Sequence, residues 1–375
     1  MTQPRTVDTS PRLGMYVGGR WSFGENGRVY DDHNPWTGGV VAEVAAGGAG
    51  DAVAAVRSAH EAFRTWAHTP PALRQEIFLK AATILMDRRS EILGWLAAET
   101  GCGSDFGAIQ LDFAQSLLRQ AAGAPYAAIG QVMPSDLDGS VAMAVRRPVG
   151  VVAAIAPWNA ALILSGRAIA APLVLGNTVV LKPSEESPYS GGLVWAEIFE
   201  EAGLPPGVLN VVTHAPGDAG AIGAELVAHP WVRRINFTGS TATGRRLAEA
   251  AGRHLKRMVL ELGGQNPFII LADADLDYAV DAAAYGAFLH QGQICMCARR
   301  IFVERAIADE FIERFAAKTS SLAYGDPGDP DTVIGPLINE YALSTVSRRV
   351  DEAVAAGAKV LAGGAAVGPC YPATL

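Results

Sequence analysis

The chain has 375 residues, half of them hydrophobic, with 41 Gly and 22 Pro. This is ample material for buried cores and excludes a disordered, collagen-like or disulfide-stapled chain. Thirty basic against 38 acidic residues leave a net charge of -8, so the balance offers no basic face to nucleic acid or to an anionic membrane.

The opening stretch MTQPRTVDTSPRLG is polar and lacks the apolar core of a secretory signal. The first helix is expected from Asp51, its N-cap, because Val53, Val56, Phe63 and Trp66 recur at helical spacing. A second helix is read as continuous over 72–99 and a third over 105–122. Residues 130–149 change character, and GQVMPSDLDGSVAMAVRRPVG reads as two extended arms around the turn at Asp138 and Gly139.

From Gly150 short apolar runs alternate with helical stretches. VGVVAAIAP, NTVVLKPS, VLNVVT, RINFTG and MVLELGG read as strands, separated by helices over 163–175, 191–202, 219–228 and 241–251. Such alternation implies βαβ units and a parallel sheet covered on both faces, with ligands at the C-terminal ends of the strands. The most membrane-like window lies between Arg147 and Lys182, where Arg167 is the only charge. Pro157, Asn159, Pro172 and Asn177 interrupt it, which favours buried strands and a core helix over a span. After Leu262 a new set of helices and strands begins, and it contains Cys295.

Four segments carry candidate chemistry. FTGSTATGRR follows a strand and precedes a helix, so the turn from Gly239 to Gly244 either holds a phosphate on backbone N–H groups or simply caps the helix; it matches neither Walker A nor G-x-G-x-x-G. LKPSEESP puts Lys182 and Glu185 just past a strand, either as donor and acceptor for ribose hydroxyls or as a solvated charged loop. Cys295 in HQGQICMCARR is a nucleophile or a buried structural thiol, and with only Cys297 nearby it lacks the partners of a metal site. Glu261, an acid inside the apolar strand LELGG, is read as buried and therefore as a candidate general base. The four cysteines (Cys102, Cys295, Cys297 and Cys370) are too scattered to staple the chain, which fits a reducing cytoplasm.

PWN, KPSE, FTGSTATG, LELGG and GQIC, followed by GDPGDPDTVIGPLI, together resemble the NAD(P)-dependent aldehyde dehydrogenase superfamily, from about residue 15 to the last. The resemblance implies an α/β fold in three parts. A Rossmann-like parallel-sheet NAD-binding domain spans 1–129 and 150–261, a β-hairpin for oligomerisation spans 130–149, and a second α/β catalytic domain spans 262–375. It also implies Cys295 as nucleophile, Glu261 as general base and Asn159 as the amide that holds the oxyanion. Ile155, Pro157, Trp158, Lys182, Ser184, Glu185, Gly220, Phe237, Gly239, Ser240, Leu262 and Gly263 match positions around NAD, with NADP possible. The expected partners are a small aldehyde and, where the family's full-length C-terminus is present, further copies of the chain as homodimer or tetramer, with no metal, nucleic acid or membrane.

PWNA with FLHQGQICM, including His290, resembles the branch of benzaldehyde, salicylaldehyde and vanillin dehydrogenases. The chain departs from the wider pattern at His214 and Pro216, which replace two glycines, and at Gln265, which replaces a lysine. The family pattern also continues beyond GPCYPATL, so the resemblance implies a catalytic domain incomplete at its C-terminus. Two rival readings follow: a catalytically weak binding or structural subunit, and a dehydrogenase that passes its acyl group to coenzyme A. Glu261 argues against the second, since that route needs no base.

Overall fold

The computed structural model describes residues 11–127 and 129–375; the start of the polar N-terminal stretch lies outside them. Among the described residues the chain opens on five short strands, β1 (Arg12–Leu13), β2 (Met15–Val17), β3 (Arg20–Ser22), β4 (Val29–His33) and β5 (Val40–Ala45). These were not legible in the sequence. They are two to six residues long, and β4 carries Asp31, Asp32 and His33 where an apolar alternation would be sought. Gly18 and Gly19 turn β2 into β3 with φ of 63° and 78°, a region glycine enters without steric cost.

Four helices follow: α1 (Ala49–Trp66), α2 (Pro71–Asp87), α3 (Arg89–Thr100) and α4 (Ser104–Gly123). Gly48, not Asp51, occupies the N-cap of α1. Asp51 sits three residues in and accepts the Gly48 N–H at 2.9 Å. The continuous helix expected over 72–99 is broken at Arg88, whose backbone (φ -93°, ψ 16°) leaves the helical region. Its guanidinium donates to Glu91 and Glu197 at 2.6 Å and to the Tyr189 hydroxyl at 2.7 Å, and these charge-assisted bonds hold the break in place.

The hairpin forms as β6 (Gly130–Met133) paired antiparallel with β7 (Ala142–Val145), and Gly139 adopts φ 73° in the connection. Then come β8 (Val151–Ile155), α5 (Ala161–Val174), β9 (Thr178–Lys182), α6 (Val194–Ala202), β10 (Leu209–Val211), α7 (Ala219–Ala228), β11 (Val232–Gly239), α8 (Thr241–Arg253) and β12 (Arg257–Leu262). The expected α/β alternation is present, and its strands order as β12-β11-β8-β9-β10-β2-β3. Neighbours from β12 to β10 run parallel, and β2 and β3 add an antiparallel edge.

The central strands are buried on both sides. Val151, Ala153 and Val180 pack toward α1, α7 and α8, while Val152, Ala154, Val179 and Leu181 pack toward α2, α4, α5 and α6. That period-two division is what a doubly covered sheet requires. Helix α5 lies against α6 so closely that a Cβ at Gly166 would stand 2.6 Å from the Trp195 ring, and the Trp195 indole N–H donates to Ser165 at 2.9 Å.

Beyond β12 the chain forms β13 (Asn266–Ile270), α9 (Leu276–Phe288), β14 (Ala298–Val303), α10 (Ala308–Ser320) and α11 (Glu340–Ala355). β13 and β14 pair parallel in a sheet of their own. They share a third apolar cluster with α9 and α10, built on Ile270, Ala283, Phe311 and Phe315.

Candidate active site

The loops that matter leave the C-terminal ends of parallel strands, where such sheets bind ligands. Pro157, Trp158 and Asn159 follow β8, Gly239 ends β11, and Glu261 and Leu262 end β12. These residues, with Ser240, Gly263 and Cys295, line one open cleft of about 1240 Å³. Asn159, Glu261 and Cys295, far apart in sequence, thus face a common space.

Cys295 is exposed, whereas Cys297, two residues on, is buried and its thiol is pushed up by burial. The loop that presents it starts with a sharp reversal. His290, Gln291 and Gly292 all adopt positive φ, at 49°, 56° and 71°, and the two non-glycine residues carry strain of roughly 1 kcal/mol each there. Surrounding contacts hold the strain in place. The His290 ring is buried and stacks on Phe106 with centroids 5.0 Å apart, and burial pushes its pKa down to about 4, so the imidazole is neutral. Asn266 donates to the carbonyls of Cys295 at 2.7 Å and Cys297 at 3.0 Å.

Asn159 donates to the Gln293 carbonyl at 2.7 Å, and the Gln293 side chain in turn accepts from the Ile338 N–H at 3.1 Å. One N–H of the amide thereby anchors the loop that carries Cys295.

Glu261 corrects an expectation. It is not a buried acid; its side chain is 57% exposed, because β12 is the outermost strand of the sheet. Its nearest cation is Arg167 at 3.9 Å, the lone charge of the otherwise apolar α5.

The LKPSEES segment is not a solvated loop either. Lys182 is buried and donates to the Pro183 carbonyl at 2.8 Å and to His214 Nε2 at 2.5 Å. Burial pushes its pKa down to about 8, against a raising contribution from Glu185. Ser184 donates to the Glu185 carboxylate at 3.1 Å, and the Tyr30 hydroxyl donates to the Glu185 carbonyl at 3.3 Å.

At the FTGSTATG turn, Ser240 caps α8 by accepting the Thr243 N–H at 3.2 Å. Gly244 packs closely under Leu262, whose side-chain methyl would stand 2.6 Å from a Cβ placed there. Ile155 and Phe237 are buried in β8 and β11, and Gly220 lies in the first turn of α7; these three, with Lys182, Ser184 and Glu185, stand outside the lining of the cleft. Asn266, Gln293 and Arg167 were missed as site residues by sequence reasoning. Arg167 carried a signal as a single charge in a long apolar window, and Gln293 as part of the GQIC turn around Cys295, while Asn266 carried none.

Comparison with known proteins bears on this arrangement. The sequence pattern of the Aldehyde dehydrogenase family matches residues 21–374. The chain belongs to that family. It is 47% identical over 350 residues to a vanillin dehydrogenase of Pseudomonas sp. strain HR199, covering 93% of this chain and 72% of that one. Among solved structures, a salicylaldehyde dehydrogenase from Pseudomonas putida G7 complexed with salicylaldehyde superimposes with a TM-score of 0.94 at 38% identity, covering 97% of this chain and 75% of that one. A NAD-dependent benzaldehyde dehydrogenase from Corynebacterium glutamicum gives 0.91 at 39% identity, covering 96% and 78%. The chain is thus an aldehyde dehydrogenase by family and by fold, an oxidoreductase acting on small-molecule aldehydes. Among the described residues no helix is long and apolar enough to cross a membrane.

Proposed function

We propose that this enzyme oxidises an aromatic aldehyde to the carboxylic acid through an acyl adduct on Cys295, using NAD or NADP. The observation that carries the reading is the meeting of Cys295, Asn159 and Glu261 in one cleft at the carboxyl ends of β8 and β12. The aromatic preference rests on the names of the relatives and on Trp158 and Phe288 among the cleft walls.

A dinucleotide suits the donor set on the other side of the sheet's rim. Lys182 is a buried ammonium with two of its three N–H groups engaged by protein, and Glu185 beside it is an acceptor for hydroxyls. The N-terminus of α8 adds backbone amides that an α-helix cannot pair internally. Pro157, Trp158, Gly239, Ser240, Leu262 and Gly263 would border the nicotinamide end. When bound, the dinucleotide supplies the two-electron oxidant by accepting hydride.

The protein's own groups do the rest. The Cys295 thiolate adds to the aldehyde carbon, and the oxygen that becomes anionic is held by the second N–H of Asn159 and the Cys295 backbone N–H. After oxidation a thioester joins the acyl group to Cys295. Glu261, open to solvent, takes the proton of the water that hydrolyses it, and the carboxylic acid leaves with the thiol restored. The reading also assigns residues 262–375 to the catalytic part, a homo-oligomeric role to the 130–149 hairpin, whose Val132, Val141 and Met143 are exposed, and a cytoplasmic setting consistent with four free cysteines.

The test is a steady-state assay of the purified chain with NAD and with NADP against benzaldehyde, salicylaldehyde, vanillin and short aliphatic aldehydes. Reduced cofactor forming with aromatic aldehydes at kcat/KM at least tenfold above the aliphatic ones supports the reading. Turnover confined to aliphatic aldehydes, or dependent on coenzyme A, would contradict it.

A further inference from the structure

Lys182 has a neighbour that the chemistry above does not use. His214 stands just past the end of β10, and the parallel pairing of β9 with β10 brings it beside Lys182, the last residue of β9. Its side chain is completely buried. Its Nδ1 lies 3.0 Å from the Ala215 carbonyl, which can only accept, so Nδ1 carries the proton and Nε2 offers a lone pair. That lone pair accepts from Lys182 Nζ at 2.5 Å, and the same Nε2 lies 3.7 Å from the Glu185 carboxylate. Burial and the adjacent ammonium both push the His214 pKa down, which keeps the ring neutral and the lone pair available. The segment around it is fixed: Thr213 donates to the Ala45 carbonyl and accepts the Gly47 N–H on its own carbonyl at 3.0 Å.

We propose that His214 is a positioning residue for Lys182 that biases the dinucleotide subsite toward an unphosphorylated ribose. The inference rests on the assignment of Lys182 and Glu185 to the adenosine ribose. A lysine ammonium has three N–H groups. Here the Pro183 carbonyl takes one and His214 a second, and the ammonium is held back in a fully buried position. The remaining N–H suffices for a ribose hydroxyl. A 2′-phosphate needs a cation that turns to meet it, because Glu185 repels the phosphate charge at short range. With His214 holding it, Lys182 cannot turn. Loss of the acceptor frees the ammonium to swing toward the phosphate.

The probes are NADH and NADPH, titrated by nicotinamide fluorescence without any turnover, and the readout is the ratio of their Kd values. His214→Leu fills the space without an acceptor, His214→Ala leaves it open, and His214→Gln keeps a carbonyl oxygen within reach of the amine. In the Leu and Ala variants the ratio Kd(NADPH)/Kd(NADH) is expected to fall about tenfold, the size expected from releasing one hydrogen bond to a charged group. The Gln variant should stay within about threefold of wild type. In a Lys182→Met background the His214 substitutions should no longer move the ratio, as the double-mutant logic requires. An unchanged ratio in the Leu and Ala variants, or the same fall with Lys182 absent, overturns the role of His214 while leaving the cofactor reading intact. Wild-type protein that binds neither nucleotide overturns both.

Discussion

Two rims at the carboxyl end of the sheet, the Lys182 side outside the lining of the cleft and the Cys295 side within it, are built differently. On the Lys182 side every residue of β8, β9 and β10 is buried, and the candidate binding groups grow directly out of the sheet core. On the Cys295 side the supporting strands β12 to β14 expose Val259, Leu260, Ile269 and Phe302, and the thiol sits on a loop held by single side chains. The first rim is positioned by burial, which many residues share. The second is positioned by a few hydrogen bonds, so polar substitutions there should cost chemistry well before they cost the fold.

The largest effect expected is at the thiol. Cys295→Ala should abolish turnover while leaving NADH binding and thermal stability within error of wild type, because the side chain is exposed. Cys297→Ala should do the opposite, retaining most activity and lowering Tm through the buried space it opens. Assays and melts of the two variants side by side check both; a reversed pattern would reassign the nucleophile.

Next in size is Asn266→Ala, which removes the donor to both the Cys295 and Cys297 carbonyls. At about 1 kcal/mol per neutral hydrogen bond, kcat should fall on the order of tenfold to thirtyfold with little change in Tm. A loss of stability with kcat retained would mean that Asn266 serves the fold instead of the loop.

On the buried rim the expected effect is smaller and depends on pH. Lys182 has its pKa lowered to about 8, so its ammonium is present below that pH and is lost as pH rises through it. NADH should therefore bind with constant Kd from pH 6 to about 7.5 and weaken by roughly threefold to tenfold by pH 9.5. The slope should vanish in Lys182→Met, and a Kd flat in wild type across that range would remove Lys182 from the nucleotide site.

The contrast between the rims also explains what could be read in advance. The strand–helix alternation from Gly150 to Leu262 was legible because buried parallel strands are continuous apolar runs, such as VVAAI and TVVLK, set off by turn residues. The motif order pointed to Cys295, Asn159 and Glu261. What the sequence could not carry was environment. Whether Glu261 is buried depends on β12 being the outer strand, and whether Lys182 is solvated depends on β10 lying beside β9, and both are matters of strand order. The break at Arg88 was hidden because the residue is a good helix former whose fate is decided by distant Glu197 and Tyr189. Asn266 gave no local sign at all, since its work is to reach a loop 29 residues away.

The central claim is that Cys295 carries the acyl group and Glu261 releases it. Its most direct test is a single turnover of Glu261→Gln with NAD and benzaldehyde, followed by quenching, intact mass and peptide mapping. The account predicts one equivalent of reduced cofactor per site at near wild-type rate, one aroyl group mapped to Cys295, and steady turnover reduced by about 10²–10⁴-fold. Reduced cofactor formed with no adduct, an adduct on Cys297, or unimpaired steady turnover would contradict it.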